Sequence, residues 1–234
     1  MKHKVLAGSI ALALSLSLAA CSATGASDSD EAGESTAAPS AANAKPSSDW
    51  YGVNWGTFDA FTVSGTGGQV IELPKSSEGG WVTLKSTGTK SVHLSGLDDD
   101  NQSTNDDLPG VDRFDEGTED YSGAGVFGAY ADAIPTKIQV EASDPWTITI
   151  HPASDAPKLP ASGDGSGVFK YDGAASTPDV SFTGSGNFIV DQTSAEESRN
   201  VIANSIDDYT GQLALMKGPS LVHVSAEGGS WTIG

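Results

Sequence analysis

Carboxylates are the residues best placed to do chemistry in this chain, and they are clustered. The 234 residues hold 31 Asp and Glu against 12 Lys and Arg, a formal charge of −19. Ten of the acids fall between Asp98 and Asp120, with Arg113 as the one base among them. Such oxygen density suits a hard cation such as calcium. The run Asp98-Asp99-Asp100-Asn101-Gln102 lacks the glycine and closing glutamate of a helix–loop–helix calcium site, however. The competing reading is a solvated loop whose like charges repel, and no metal-ligand set is assigned. Trp50, Tyr51, Trp55, Phe58 and Phe61 crowd into a dozen residues. Trp50, Trp55 and Trp81 are the candidates for stacking on sugar rings, set against the alternative that the aromatic cluster seals one end of a sandwich. His93 and His223 sit on alternating strands at expected solvent-facing positions, and His151 follows a strand. No Cys/His zinc spacing, His-Glu-x-x-His or Gly-x-Ser-x-Gly occurs. The expectation is a protein without catalytic residues or cofactor. The acidic balance argues against nucleic acid as a partner. The glycine runs at 64–68 and 162–167 precede strands rather than opening helices, which removes the phosphate-loop reading. They are expected to be turns entering the first strand of each repeat.

The remaining reactive side chain is the single cysteine. Lys2, His3 and Lys4 are followed by an apolar stretch from Val5 to Ala20, too short for a confident spanning helix, and the stretch ends Leu18-Ala19-Ala20-Cys21. This resembles the bacterial lipobox. The resemblance implies cleavage before Cys21, diacylglycerol on its thiol and acylation of its new amine. Being the only cysteine, Cys21 has no intrachain disulfide partner. Residues 22–49 are Ala, Ser, Gly, Pro and acids with no aromatic and no apolar period. They cannot bury enough surface to offset ordering, so a disordered tether is expected.

The elements that would position these groups are repeated. Ile138-Gln139-Val140-Glu141-Ala142 followed by Trp146-Thr147-Ile148 matches Val222-His223-Val224-Ser225-Ala226 followed by Trp231-Thr232-Ile233. Gly65 and Val70 match Gly163 and Val168 at a spacing of 98 residues. The same spacing carries Val82, Leu84 and Val92 onto Val180, Phe182 and Val190. It falls to 88 at Tyr121-Ser122-Gly123 and Tyr209-Thr210-Gly211, which places ten extra residues of the first copy between Val92 and Tyr121. A self-match of this extent marks a duplicated unit.

Alternation of Val, Ile, Leu and Thr over short runs, broken by glycine, predicts many half-buried strands. A helical turn is expected only at 194–199, where Ser194 could cap with Glu197 three residues on. The predicted fold is all-β: two tandem antiparallel β-sandwich modules, jelly-roll-like, after a disordered N-terminal tether. The boundaries are 1–20 for the signal peptide, 21–49 for the tether, 50–152 for the first repeat, 153–161 for a proline-rich joint and 162–234 for the second repeat. Leu18 to Cys21, the two Tyr-[Ser/Thr]-Gly segments, Gly186-Asn187-Phe188-Ile189-Val190 and the two Trp-Thr-Ile ends resemble those of uncharacterised actinobacterial secreted lipoproteins. The first copy departs from that pattern at Gly88-Thr89-Lys90-Ser91-Val92. The resemblance implies an extracytoplasmic location at the cell membrane and no activity. The expected role is a lipid-anchored surface protein displaying modules for binding or envelope structure, its partner an envelope glycan or a protein. The alternatives are a carbohydrate- or solute-binding lipoprotein and a carboxylate hydrolase.

Overall fold

A computed structural model describes residues 50–88, 90–108, 120–129, 134–194 and 199–234. The leader, Cys21, the tether, residues 109–119 of the acidic stretch and residues 195–198 of the expected helical turn lie outside the described residues.

The chain forms two antiparallel jelly rolls. In module one, strands β1 (Phe61–Thr66), β8 (Pro145–Pro152), β3 (Gly80–Ser86) and β6 (Tyr121–Phe127) make one sheet in that order. Strands β2 (Gln69–Glu72), β7 (Lys137–Ala142), β4 (Val92–Leu97) and β5 (Ser103–Asp107) make the other. In module two the order is β9 (Ser162–Asp164), β16 (Gly229–Ile233), β11 (Asp179–Gly184) and β14 (Tyr209–Gln212). Its second sheet runs β10 (Gly167–Tyr171), β15 (Ser220–Ala226), β12 (Asn187–Thr193) and β13 (Asn200–Ile206). Adding eight to every strand number of module one gives the strand order of module two.

Each core follows from period-two alternation. Val82 and Leu84 of β3, Leu94 of β4 and Ile148 and Ile150 of β8 point inward and are wholly buried. Phe182, Phe188, Val190, Val224 and Trp231 fill module two in the same way, with Phe182 and Phe188 stacked at 4.8 Å. The matched tryptophans do the same work twice. Trp146 Nε1 donates to Gly67 O at 2.9 Å, and Trp231 Nε1 donates to Gly165 O at 3.0 Å. Each indole lies over a glycine of the first strand. A Cβ on Gly65 would stand 2.6 Å from Trp146 Cζ2, and one on Gly163 would stand 2.5 Å from Trp231 Cζ2. The glycine runs therefore carry part of a strand, β1 or β9, where turns alone were expected.

Strand pairing also corrects the register of the repeat. Leu84 pairs with Ile148, and Val180 pairs with Ile233. Val92 pairs with Ala142, and Phe188 pairs with Ala226. Leu84 thus corresponds to Val180 and Val92 to Phe188, a spacing of 96 rather than 98. Two of the ten extra residues belong to the β2–β3 connection and eight to the stretch between β4 and β6. A two-residue slip keeps every side chain on its own face, so alternation could not expose it.

Ahead of β1, where no helix was expected, Trp50–Trp55 forms α1. Gly56 ends it with φ +77°, and the amides of Glu78 and Gly79 both donate to Trp55 O at 3.1 Å. Six residues do not hold a helix by propensity; this one is held by what it packs on. The β2–β3 connection, which holds the two extra residues, supplies both of the amides that bond Trp55 O. The joint is likewise docked rather than free: residues 153–155 form a 3₁₀ turn, and Lys170 N donates to Pro157 O at 2.6 Å.

Candidate functional site

The two jelly rolls belong to one compact unit. The outer face of the β10–β15–β12 sheet packs on β6, α1 and the 3₁₀ turn. Val168 and Leu221 of module two meet Ala124 and Val126 of β6, Tyr51 and Trp55 of α1, and Ala153 and Ala156, all buried. Strand β15 is consequently buried on both faces.

The aromatic cluster lies at this junction. Trp55 is 5% exposed and Tyr51 6% exposed. Trp50 packs edge-on against both, at 5.5 and 5.1 Å. Trp55 has no ring face open to a sugar, so its candidacy as a stacking platform gives way to the sealing role. Trp50 is half-buried against the same cluster. Trp81, also half-buried, is stacked on His151 at 4.0 Å with 12° between the planes. The three tryptophans share one neighbourhood without forming an open aromatic floor. Burial pushes the His151 imidazole below its ordinary value of 6.5, with Asp155 pulling the other way.

Tyr51 ties the modules together. Its hydroxyl reaches Asp172 Oδ1 at 2.9 Å and Ser220 O at 3.2 Å. Burial pushes the phenol well above its ordinary range, and the Asp172 carboxylate adds to this. Lys170 donates to Ser154 O at 2.7 Å, and its ammonium lies 5.6 Å from the Tyr51 ring centroid.

Among the described residues, the closest approach to catalytic geometry is a buried acid–histidine pair that spacing did not reveal. Asp191 on β12 pairs in register with His223 on β15, and each is 1% exposed. His223 Nδ1 stands 3.0 Å from Asp191 Oδ2, and Arg199 Nε stands 3.4 Å from the same oxygen. His223 Nε2 is 2.9 Å from Ala124 O of module one. A carbonyl only accepts, so Nε2 carries the hydrogen and donates it. The nitrogen that would serve a nucleophile in a hydrolytic triad is thus spent on the main chain. The solvent-facing position expected for His223 is corrected: the outward face of its sheet is covered by the neighbouring module. His93 is half-buried.

In the described part of the acidic stretch a cation is already supplied by the chain. Asp98 Oδ1 accepts from the amides of Asp100 and Gln102 at 2.9 and 2.8 Å. Lys137, buried to 9% exposure, donates to Asp99 O at 2.9 Å and Asn101 Oδ1 at 2.8 Å. Its ammonium takes the kind of oxygens that calcium would use. Among the described residues no group of three His, Cys, Asp or Glu is gathered for a metal.

What remains open is sheet surface. On the outer face of β1–β8–β3–β6, pairing aligns Ser64, Thr147, Lys85 and Ser122 in one row and Thr62, Thr149 and Thr83 in the next. Thr62 Oγ1 lies 3.0 Å from Thr149 Oγ1, and Ser64 Oγ lies 2.9 Å from Thr147 Oγ1. Module two carries a corresponding row, Ser162, Thr232, Ser181 and Thr210. The last three line a shallow open groove of about 540 Å³ with Asp179 at its edge.

Among the described residues no helix is long and apolar enough to cross a membrane. No protein-family model matches the chain, and no curated protein matches it.

Proposed function

We propose that this chain is a lipid-anchored extracytoplasmic protein that presents two jelly rolls as one binding body, without catalysis. The observation that carries the reading is the position of the only cysteine, directly after a basic start and an apolar stretch ending in two alanines. One acyl chain holds a protein marginally, while two or three hold it firmly at about 0.8 kcal/mol per buried methylene. The geometry of the junction supports the non-catalytic part. Its histidine and carboxylate are closed off from solvent and bonded to each other and to main chain. A hydrolase would need such a pair open to a substrate. A glycan-binding version is supported by the carboxylate-free, hydroxyl-rich sheet face of module one rather than by aromatic platforms.

The test is metabolic labelling with an alkyne fatty acid in a bacterium that processes lipoproteins. The full chain is expected to take up label and to sediment with membranes. Cys21→Ala is expected to lose both. A wild-type chain that stays unlabelled and is recovered in the soluble fraction would refute the anchor.

A further inference from the structure

The outer face of the β1–β8–β3–β6 sheet is unusual for this molecule because it lacks acid. The four strands contain no Asp or Glu, although the chain as a whole has 31. Lys85 is the one Lys or Arg among their outward positions. Around it stand Thr62, Ser64, Thr83, Thr147 and Thr149 in pairing register. Thr62, Ser64 and Lys85 are exposed, and the other three are half-buried. The half-buried Trp81–His151 stack borders one end. This surface is continuous with the junction, since Ala124 and Val126 of β6 occupy the same face where module two covers it.

We infer that this face binds an uncharged polysaccharide, an assignment that deepens the binding role proposed above and rests on it. The argument is one of chemical matching. In each hydroxyl pair one O–H donates to the other, so the second O–H and the remaining lone pairs point to solvent. Each pair thus leaves one donor and three lone pairs, so the face offers both donors and acceptors, as a sugar does. A metal ion would need carboxylates, which are absent here. A nucleic acid would need several cations, and one lysine does not supply them. An apolar helix would need an apolar stripe, which hydroxyls interrupt. The strands lie about 4.8 Å apart and same-face residues recur at about 6.7 Å along each strand, so a flat sugar chain can meet several of the rows at once. The lack of carboxylates also leaves Lys85 as the one charge on these strands' outward positions from which a hydroxylic polymer would strip water. The matching sheet of module two differs on this count, with Asp164 and Asp179 in its strands.

The experiment is affinity electrophoresis of the purified full-length chain through gels cast with neutral polysaccharides: a β-glucan, an α-glucan and a mannan. A gel containing polygalacturonate reports charge-driven binding through Lys85. Thr83→Val with Thr149→Val removes two hydroxyls and keeps β-branched shape, so the strands are retained. The expected result is retardation by at least one neutral polymer. The double variant is expected to weaken it about tenfold, two hydrogen bonds being lost at about 0.7 kcal/mol each. Thr210→Val in module two is expected to leave binding unchanged. Passage of the wild type without retardation by any neutral polymer would overturn the inference, as would binding to polygalacturonate alone or full binding by the double variant. None of these outcomes bears on acylation at Cys21, so the anchor and the glycan face fail separately.

Discussion

His151 shows how one residue reports the packing around it. Its ring lies flat on Trp81, and burial disfavours the charged form. The folded chain then binds this proton less readily than the unfolded chain. Its contribution to stability is complete above about pH 6.5, the unfolded value, and declines as pH falls from there toward the lower folded value. His151→Gln is expected to flatten the acid limb of a plot of melting temperature against pH, while an unchanged limb would contradict it. Tyr51 gives the opposite dependence. Its phenol is raised, so the folded chain holds the proton longer, and stability falls as pH climbs above about 10. Tyr51→Phe is expected to delay alkaline unfolding and, at neutral pH, to lower stability by about 1 kcal/mol for the lost hydrogen bond. Neither residue could be placed from its neighbours in sequence. His151 was legible only as the end of a strand. The aromatic cluster was legible as a seal, but the surface that it seals against comes from β6 and from residues between 153 and 221.

At the scale of elements, the repeated tryptophan is the feature that sequence conveyed most directly. The match of Trp146 with Trp231 and of Gly65 with Gly163 becomes one device built twice: an indole clamped over a glycine, with its N–H on the next turn. Gly65→Ala or Gly163→Ala would force the indole off this seat and break its hydrogen bond. Each is expected to lower stability by about 1–3 kcal/mol, the range for overpacking, measured by urea denaturation. A loss below about 0.5 kcal/mol would mean that the ring is free to shift. Other elements were hidden for physical reasons. Strand β5 runs through acidic Ser103–Asp107, whose composition disfavours strand, and it forms because it pairs with β4. Helix α1 is too short for periodicity to mark it and depends on tertiary contact. The slip of two residues between copies is silent to alternation, and hydrogen-bond pairing alone exposes it.

At the scale of the molecule, the junction joins unlike faces of two like modules, a head-to-tail contact of the kind that can propagate into filaments. The corresponding residues explain why it should stop at two. Where module two offers Val168, Leu221, His223 and Asp191, module one has Val70, Lys137, Gln139 and Ser95. Lys137 is engaged with the Asp98–Gln102 turn, and no acid–histidine pair exists there to meet a carbonyl. Duplication gave both modules the fold, and divergence on one sheet face gave one of them the docking surface. The sharpest check is His223→Ala. It would leave Ala124 O without its donor and take from the buried Asp191 its histidine partner, a loss of about 3 kcal/mol concentrated at the junction. Each module keeps its own core, so the damage should separate the modules rather than melt either. Calorimetry of the wild type is expected to show a single transition, and the variant two, the earlier one accompanied by a rise in Trp55 exposure to a soluble quencher. A single transition at an unchanged midpoint in the variant would mean that the apolar contacts of Leu221, Val168 and Trp55 hold the modules without it.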